Sequence, residues 1–413
     1  MRRFTEYLTL LCSLWQSGGI TLYPLRLVLG ISLCISCSQG CSSSGVAQYD
    51  TVFYKPSYAG GFDIVGNVRD SSRIVRVFSP WQDSDSSAVE LFVARNGEMP
   101  PEGFRGCVVR DRVERIAVTS TSHIALLDLL GAADRIVAAS GKRFAFCNSF
   151  RERLDSVTEI GPDYSPDYEA LISSRADIVL LYGISSESPL ERKLSVLGIP
   201  YIYIGEYLET SPLGRSEWVV ALGELLGMRE AAQSVFSEVE RKYSSVCRVV
   251  AGQSPKNRPR VMLNSPFGDS WFLPSGRGFF PRMIEDAAGE YVLGDCLEGT
   301  SVPVSLEKAF SLASSADCWL NVSGVASMEQ FLSDYPVFAQ VPCVSSGRVF
   351  ANDKRLNPFG GNDFWESSAA RPDLLLADLV RILHPSLSPA LDSLGFSSGQ
   401  SSGSSALYYY RKL

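Results

Sequence analysis

Between positions 228 and 251, Met228, Ala231, Ala232, Val235, Phe236, Val239, Tyr243, Val246, Cys247 and Val250 return at steps of three and four residues, with mostly charged and polar residues between them. This is the apolar stripe of one amphipathic helix. At 1.5 Å per residue such a helix is about 36 Å long, enough to run the length of a small domain. On either side of it, short β-branched runs alternate with helical patterns. The segment 228–251 therefore reads as a rigid spine between two α/β lobes, 113–227 and 252–385, with the cleft between them as the expected site.

The first lobe opens with a buried strand at 115–119, after which Ser120 or Thr121 can cap a helix ending at Gly131. Residues 136–139, 177–182 and 200–204 read as further strands. The second lobe repeats the plan with strands at 260–264, 317–322 and 348–350, a helix from 279 to 288, and a last helix from 371 to 384 stopped by Pro385. Strands alternating with helices give parallel sheets covered on both faces, so the fold class is α/β with two Rossmann-like lobes. Upstream, 74–78 and 89–93 read as an N-terminal β-ribbon within 42–112, which begins as a small-residue tether. Its Pro80-Trp81-Gln82 is expected to pack an edge. The segment 386–413 is rich in Ser and Gly and reads as a mobile tail, with 408–413 a candidate edge strand.

The balance of 38 Lys and Arg against 45 Asp and Glu leaves no basic stripe and argues against nucleic acid. His123 and His384 are the only histidines, too few for a zinc site built from several imidazoles. The cysteines at 107, 147, 247, 296, 318 and 343 show no CxxC spacing, leaving disulfides and buried thiols both open. In the segment 1–41 an apolar run at 27–35 follows Arg26 and precedes small residues, which suits the h-region of a secretory signal better than a membrane span. Cys37 and Cys41 each stand in a context resembling a lipoprotein cleavage site. Cys37 is favoured, being closer to the apolar run; an uncleaved anchor or a plain signal peptide is the alternative.

Each lobe also carries a local unit. Ser165-Pro-Asp-Tyr-Glu169 followed by Asp177 and a strand is echoed by Ser305-Leu-Glu307 followed by Asp317 and a strand. A capping serine, a glutamate in the first helical turn and a strand-opening Asp are expected in both. Glutamates at helix N-termini are stabilising by themselves, by about 0.3–1 kcal/mol. The ordered series Leu130-Gly131…Asp134-Arg-Ile136, Ile160-Gly161, Glu169…Ala176-Asp177, Leu197-Gly198-Ile-Pro200, Leu226-Gly227 and Ala287-Ala288-Gly289 nevertheless resembles the periplasmic binding proteins that deliver iron chelates and cobalamin to ABC importers. The stretches 206–218 and 360–366 look like the Bacteroidetes branch of that family. The resemblance spans roughly 113–385. It implies that Glu169 and Glu307 dock into a permease dimer served by ATPase subunits, that an N-terminal lipid holds a monomeric protein to a membrane on its periplasmic side, and that a metal chelate binds in the cleft.

A cleft for a bulky chelate needs aromatic faces and cations. Arg143, Tyr182, Tyr207, Arg215, Trp271, Phe272 and Trp365 are the candidates, with Phe144, Arg277, Phe359 and Phe364 nearby in sequence; Trp218 is expected to be buried. Ferric siderophore or corrinoid ranks ahead of haem, which would want an axial Tyr or His. No resident cofactor or metal is expected, since the metal arrives with the ligand. P-loop, GxSxG and HExxH patterns are lacking, so the chain is not read as an enzyme. A chelatase-like enzyme on the same two-lobe plan, or a tethered ligand sensor, is the alternative.

Overall fold

The stripe folds as one 25-residue helix, Arg229–Gln253. Its buried apolar positions are Ala232, Phe236, Val239, Tyr243, Val246 and Val250, alternating steps of four and three that keep a single seam facing inward. Ala231 falls outside that seam and is exposed. The seam lies on one helix from each lobe, Val219–Leu225 of the first and Pro372–Leu383 of the second. Gly223 permits the first contact, because a Cβ there would stand 2.3 Å from that of Ala232. Tyr243 adds a 2.7 Å hydrogen bond to Asp286 of the second lobe. The spine is thus packed against both lobes as well as joining them.

The structure, a computed structural model, describes residues 49–413 other than 83, 85–87, 111, 163, 184–187, 254–256, 267–269, 295–300 and 397–406. The segment 1–41 with Cys37 and Cys41, the tether that follows it, and Cys296 lie outside the described residues. Cys107, Cys147, Cys247, Cys318 and Cys343 are free thiols.

Ahead of the lobes, β1 (Thr51–Tyr54), β2 (Phe62–Gly66), β3 (Arg73–Val77), β4 (Val89–Val93) and β5 (Cys107–Val109) form a sheet in that order, antiparallel except for the last pair. The sequence pattern marks only β3 and β4. The sheet is wider because both faces are covered: Phe62, Ile64, Val75, Val77, Leu91 and Val93 join the main core, while Tyr49, Val65, Ile74, Phe92 and Ala94 form a second cluster. Two covered faces blur the alternation by which a half-exposed ribbon would be recognised.

In the first lobe β6 (Ile116–Val118), β7 (Ile136–Ala139), β8 (Thr158–Glu159), β9 (Ile178–Leu181) and β10 (Tyr201–Tyr203) make a parallel sheet of order β10-β9-β6-β7-β8. The second lobe adds β11 (Arg260–Leu263), β12 (Ser270–Pro274), β13 (Glu290–Tyr291), β14 (Ser301–Ser305), β15 (Cys318–Val322), β16 (Val349–Ala351) and β17 (Arg411–Lys412). Its sheet runs β13-β11-β15-β16-β17, parallel but for β17, and β12 and β14 form a separate antiparallel pair. The repeated Asp does the same work twice. Asp177 Oδ2 accepts the N–H groups of Glu114 and Arg115 at 2.9 and 2.8 Å, and Asp317 Oδ2 accepts that of Arg260 at 2.8 Å. Each ties the start of one central strand to the start of its neighbour. Ser305 caps its helix as expected, but in the first lobe Asp167, not Ser165, accepts the N–H of Ala170.

The candidate edge strand in 408–413 forms, while the stretch before it is less loose than its composition suggests. Leu387 and Leu391 are buried, and the chain ends as β17 beside β16 with Tyr409 and Tyr410 in the core. Asp378 holds this return by accepting the N–H groups of Tyr408 and Tyr409 at 2.7 and 2.6 Å. The polar composition of 386–406 hid two buried leucines and a tyrosine anchor at the end.

Candidate functional site

Segments that leave the carboxyl ends of strands in the two parallel sheets meet, and such ends are where open α/β sheets present ligand sites. The segment leaving β7 is bonded to the turn leaving β16. Asn357 Nδ2 donates to the carbonyls of Arg143 and Ala145 at 3.0 and 2.9 Å, and the two Glu366 oxygens accept the N–H groups of Phe146 and Cys147 at 2.7 Å each. A Cβ on Gly361 would come within 1.8 Å of the Phe144 carbonyl, so only glycine lets this turn dock. Ser216 Oγ donates to Ala370 O at 2.9 Å, a further bridge between lobes.

Within this frame, Tyr182 leaves β9 and Tyr207 follows β10 in the turn Glu206–Leu208, and their rings lie 4.4 Å apart at a 37° tilt. The Tyr207 hydroxyl donates to the Gly183 carbonyl. Arg215, on the helix Pro212–Glu217, sets its guanidinium 4.3 Å over the ring of Phe279, the first residue of the helix Phe279–Asp286 in the other lobe. Its Nε makes no hydrogen bond, and its charge is faced by Glu206 and Tyr182. Glu206 is fully buried; Ser122 Oγ donates to one of its oxygens at 2.5 Å, and the other stands 3.8 Å from His123 Nε2. Burial drives the His123 pKa below its ordinary value. Burial raises the phenol of Tyr182, helped by Glu206 and opposed by Arg215.

Tyr182, Tyr207 and Arg215 are therefore brought together. Arg143 is exposed, its guanidinium 4.7 Å over the exposed ring of Phe144, and Phe359 is exposed on the turn that docks beside them. Trp365 is 60 % exposed beside Phe364, which is itself in the core, as is Trp218. Trp271 is corrected: it is fully buried, stacked 5.1 Å from Trp319, with its indole N–H donated to the Leu263 carbonyl at 3.0 Å. In the β12–β14 pair alternate side chains point to opposite faces, so Trp271 goes inward and Phe272 is left half-exposed. Arg277 is exposed in a groove beside the spine with Tyr58 and Tyr243. Among the described residues no cluster of three His, Cys, Asp or Glu side chains could hold a metal ion.

The sequence reading did not select Ser122, His123, Glu206 or Phe279. A charged residue directly after the buried run of β10 was the one available signal for Glu206. Phe279 had none, since its partner lies far away in the chain. Glu169 and Glu307 are exposed, each in the first turn of its helix, Tyr168–Ser174 and Leu306–Ala313.

Comparison with known proteins places this geometry. Residues 116–356 match the family described as periplasmic binding protein. An uncharacterised lipoprotein of Methanocaldococcus jannaschii is 26 % identical over 290 residues, covering 67 % of each chain. Another from the same organism is 24 % identical over 349 residues, covering 80 % of this chain and 86 % of the other. Among solved structures, a periplasmic binding protein of Veillonella parvula superimposes with a TM-score of 0.55 at 14 % identity, over 74 % of this chain and 97 % of its own. A periplasmic haem-binding protein of Pseudomonas aeruginosa does so with a TM-score of 0.52 at 16 % identity, over 66 % and 94 %. The matched span takes in all the parallel strands of both lobes and the spine, and the chain belongs to the periplasmic binding protein family.

Proposed function

We propose that this protein is an extracytoplasmic, lipid-anchored, monomeric substrate-binding protein that captures an anionic metal chelate between its lobes and hands it to the permease of an ABC importer. The carrying observation is Arg215, a guanidinium stacked on Phe279, faced by Glu206 but in no salt bridge among the described residues, beside the Tyr182–Tyr207 pair. Such a cation is placed to receive a carboxylate of a planar ligand, while the aromatic rings supply the apolar faces. The same group of residues moves haem ahead of siderophore and corrinoid. A phenol oxygen can ligate ferric haem iron, and Arg215 opposes the rise that burial and Glu206 give the Tyr182 phenol. Known haem-binding proteins of the same fold support that order. The protein itself catalyses no reaction, and the metal enters and leaves with its ligand.

The test is a spectroscopic titration of the protein lacking residues 1–41 with ferric haem, cobalamin and a set of ferric siderophores. A haem absorption band that changes on Tyr182→Phe, with affinity lowered by Arg215→Gln, is expected. Binding of none of the three classes would overturn the proposal, and binding of siderophore or corrinoid alone would overturn the order.

A further inference from the structure

The family match begins at residue 116, so the whole N-terminal sheet lies outside it. That sheet nonetheless grips the part of the first lobe that carries two of the candidate ligand groups. The connection from β1 to β2 lays five backbone N–H groups on two carboxylates: those of Ser57, Tyr58 and Ala59 on Glu217 at 2.8 Å each, and those of Gly60 and Gly61 on Glu209 at 2.9 Å each. The hydroxyl of Tyr54 adds a 2.7 Å bond to Glu217. Glu217 is fully buried and Glu209 nearly so. Arg215 lies between them, and Tyr207 stands two residues before Glu209. A Cβ on Gly214 would lie 2.8 Å from the carbonyl of Tyr58, which shows how tightly the connection is seated.

The loop between β3 and β4 reaches the other side of the tyrosine pair. A Cβ on Gly183, next to Tyr182, would meet the Pro80 carbonyl at 2.4 Å, and the Trp81 ring rests edge-on against Tyr203 at 5.4 Å. Gln82 backs the hydroxyl of Tyr207.

We infer that the N-terminal sheet is the positioning device of the ligand site, its first connection fixing the segment 206–217 through Glu209 and Glu217 and its 80–82 loop wedging Gly183 behind Tyr182. The inference rests on the reading of Tyr182, Tyr207 and Arg215 as ligand groups. Its physical basis is that buried carboxylates deprived of their donors are strongly unfavourable, so the segment holding them cannot shift independently of the sheet. A site held in this way keeps its cation and rings in place before the ligand arrives.

The experiment uses Glu217→Gln, Glu209→Gln and Trp81→Ala in the chain from residue 42, labelled with 3-fluorotyrosine. The resonances of Tyr182, Tyr207 and, as a second-lobe reference, Tyr291 are assigned by Tyr→Phe substitution. Trp81→Ala removes only a loop anchor, so it reports even if loss of a buried carboxylate prevents folding. The expected result is that the Tyr182 and Tyr207 resonances move while that of Tyr291 does not, with affinity for ferric haem weakened about tenfold or more. A core substitution in the second lobe, Ile284→Val, should lower the thermal midpoint without either effect. Unmoved Tyr182 and Tyr207 resonances in folded variants would overturn the inference. Because that readout needs no ligand, failure of the wild-type protein to bind any chelate would refute the proposed function alone and leave the tyrosine signals to decide this one.

Discussion

Glu366 shows how one residue links the lobes and carries a pH signature. Its carboxylate is buried against the first lobe and accepts two backbone N–H groups there. Burial pushes its pKa up to about 7, with Asp363 and Asp128 adding to the rise and the two donors opposing it. A folded pKa above the unfolded value means that the group favours the folded state most at low pH, below the ordinary carboxylate range. That contribution is lost as pH rises through about 7. Asp378, raised to about 6 by burial against three backbone donors, behaves in the same sense. Glu366→Gln cannot titrate. The unfolding free energy of wild type minus that of Glu366→Gln should therefore fall between pH 5 and pH 8, measured by urea denaturation at each pH. A difference that stays constant or grows would show that the donors, and not burial, set the pKa of this carboxylate.

At the scale of elements, the spine depends on how closely it approaches the helix Val219–Leu225. Gly223 faces Ala232 with no room for a methyl group. Overpacking of this kind typically costs about 1–3 kcal/mol. Gly223→Ala should therefore lower stability by that order in denaturant unfolding, partly offset by alanine's better helix propensity, whereas Gly252→Ala, which meets nothing within 4 Å, should not. Elements with one strong local signal were legible in the sequence. The spine was, through its period; the central strands were, as β-branched runs; so was the Asp177 and Asp317 repeat, whose meaning emerged only as a tie between strand starts. Elements whose signal is shared with a distant partner were not legible. Both β12 and β14 exist by pairing with each other, and which face each residue takes decided that Trp271 is core and Phe272 is not. The site followed the same division. Tyr182 and Tyr207 stand where strands end, which sequence can locate, while Phe279 under Arg215 and the Gly60 and Gly61 donors to Glu209 are set by contacts across the fold.

For the whole molecule, the question is whether a docking partner could meet both lobes at once. Glu169 and Glu307 lie in the first turns of helices that each run back to the start of a parallel strand, β9 and β15. A helix that returns the chain to a strand's start has its own N-terminus near the sheet's carboxyl edge. Both glutamates therefore belong to the edges that border the cleft, one on each lobe, and both are exposed. The bonds between the 143–147 segment and the 355–366 turn hold the two edges in register away from the spine. A partner with one cationic recess for each glutamate would then read their separation as well as their charge. Exposed ion pairs add little affinity, about 0–1 kcal/mol each, but they steer encounter and fix orientation. Replacing Glu169 and Glu307 together with alanine should accordingly abolish ligand uptake in cells supplied with the importer while the purified protein binds its chelate as tightly as wild type. Uptake at the wild-type rate would remove the docking role. Weakened chelate binding would place these carboxylates in the ligand site instead, because exposed side chains in the first turns of two separate helices can alter affinity only by touching the ligand or by moving the edges that hold it.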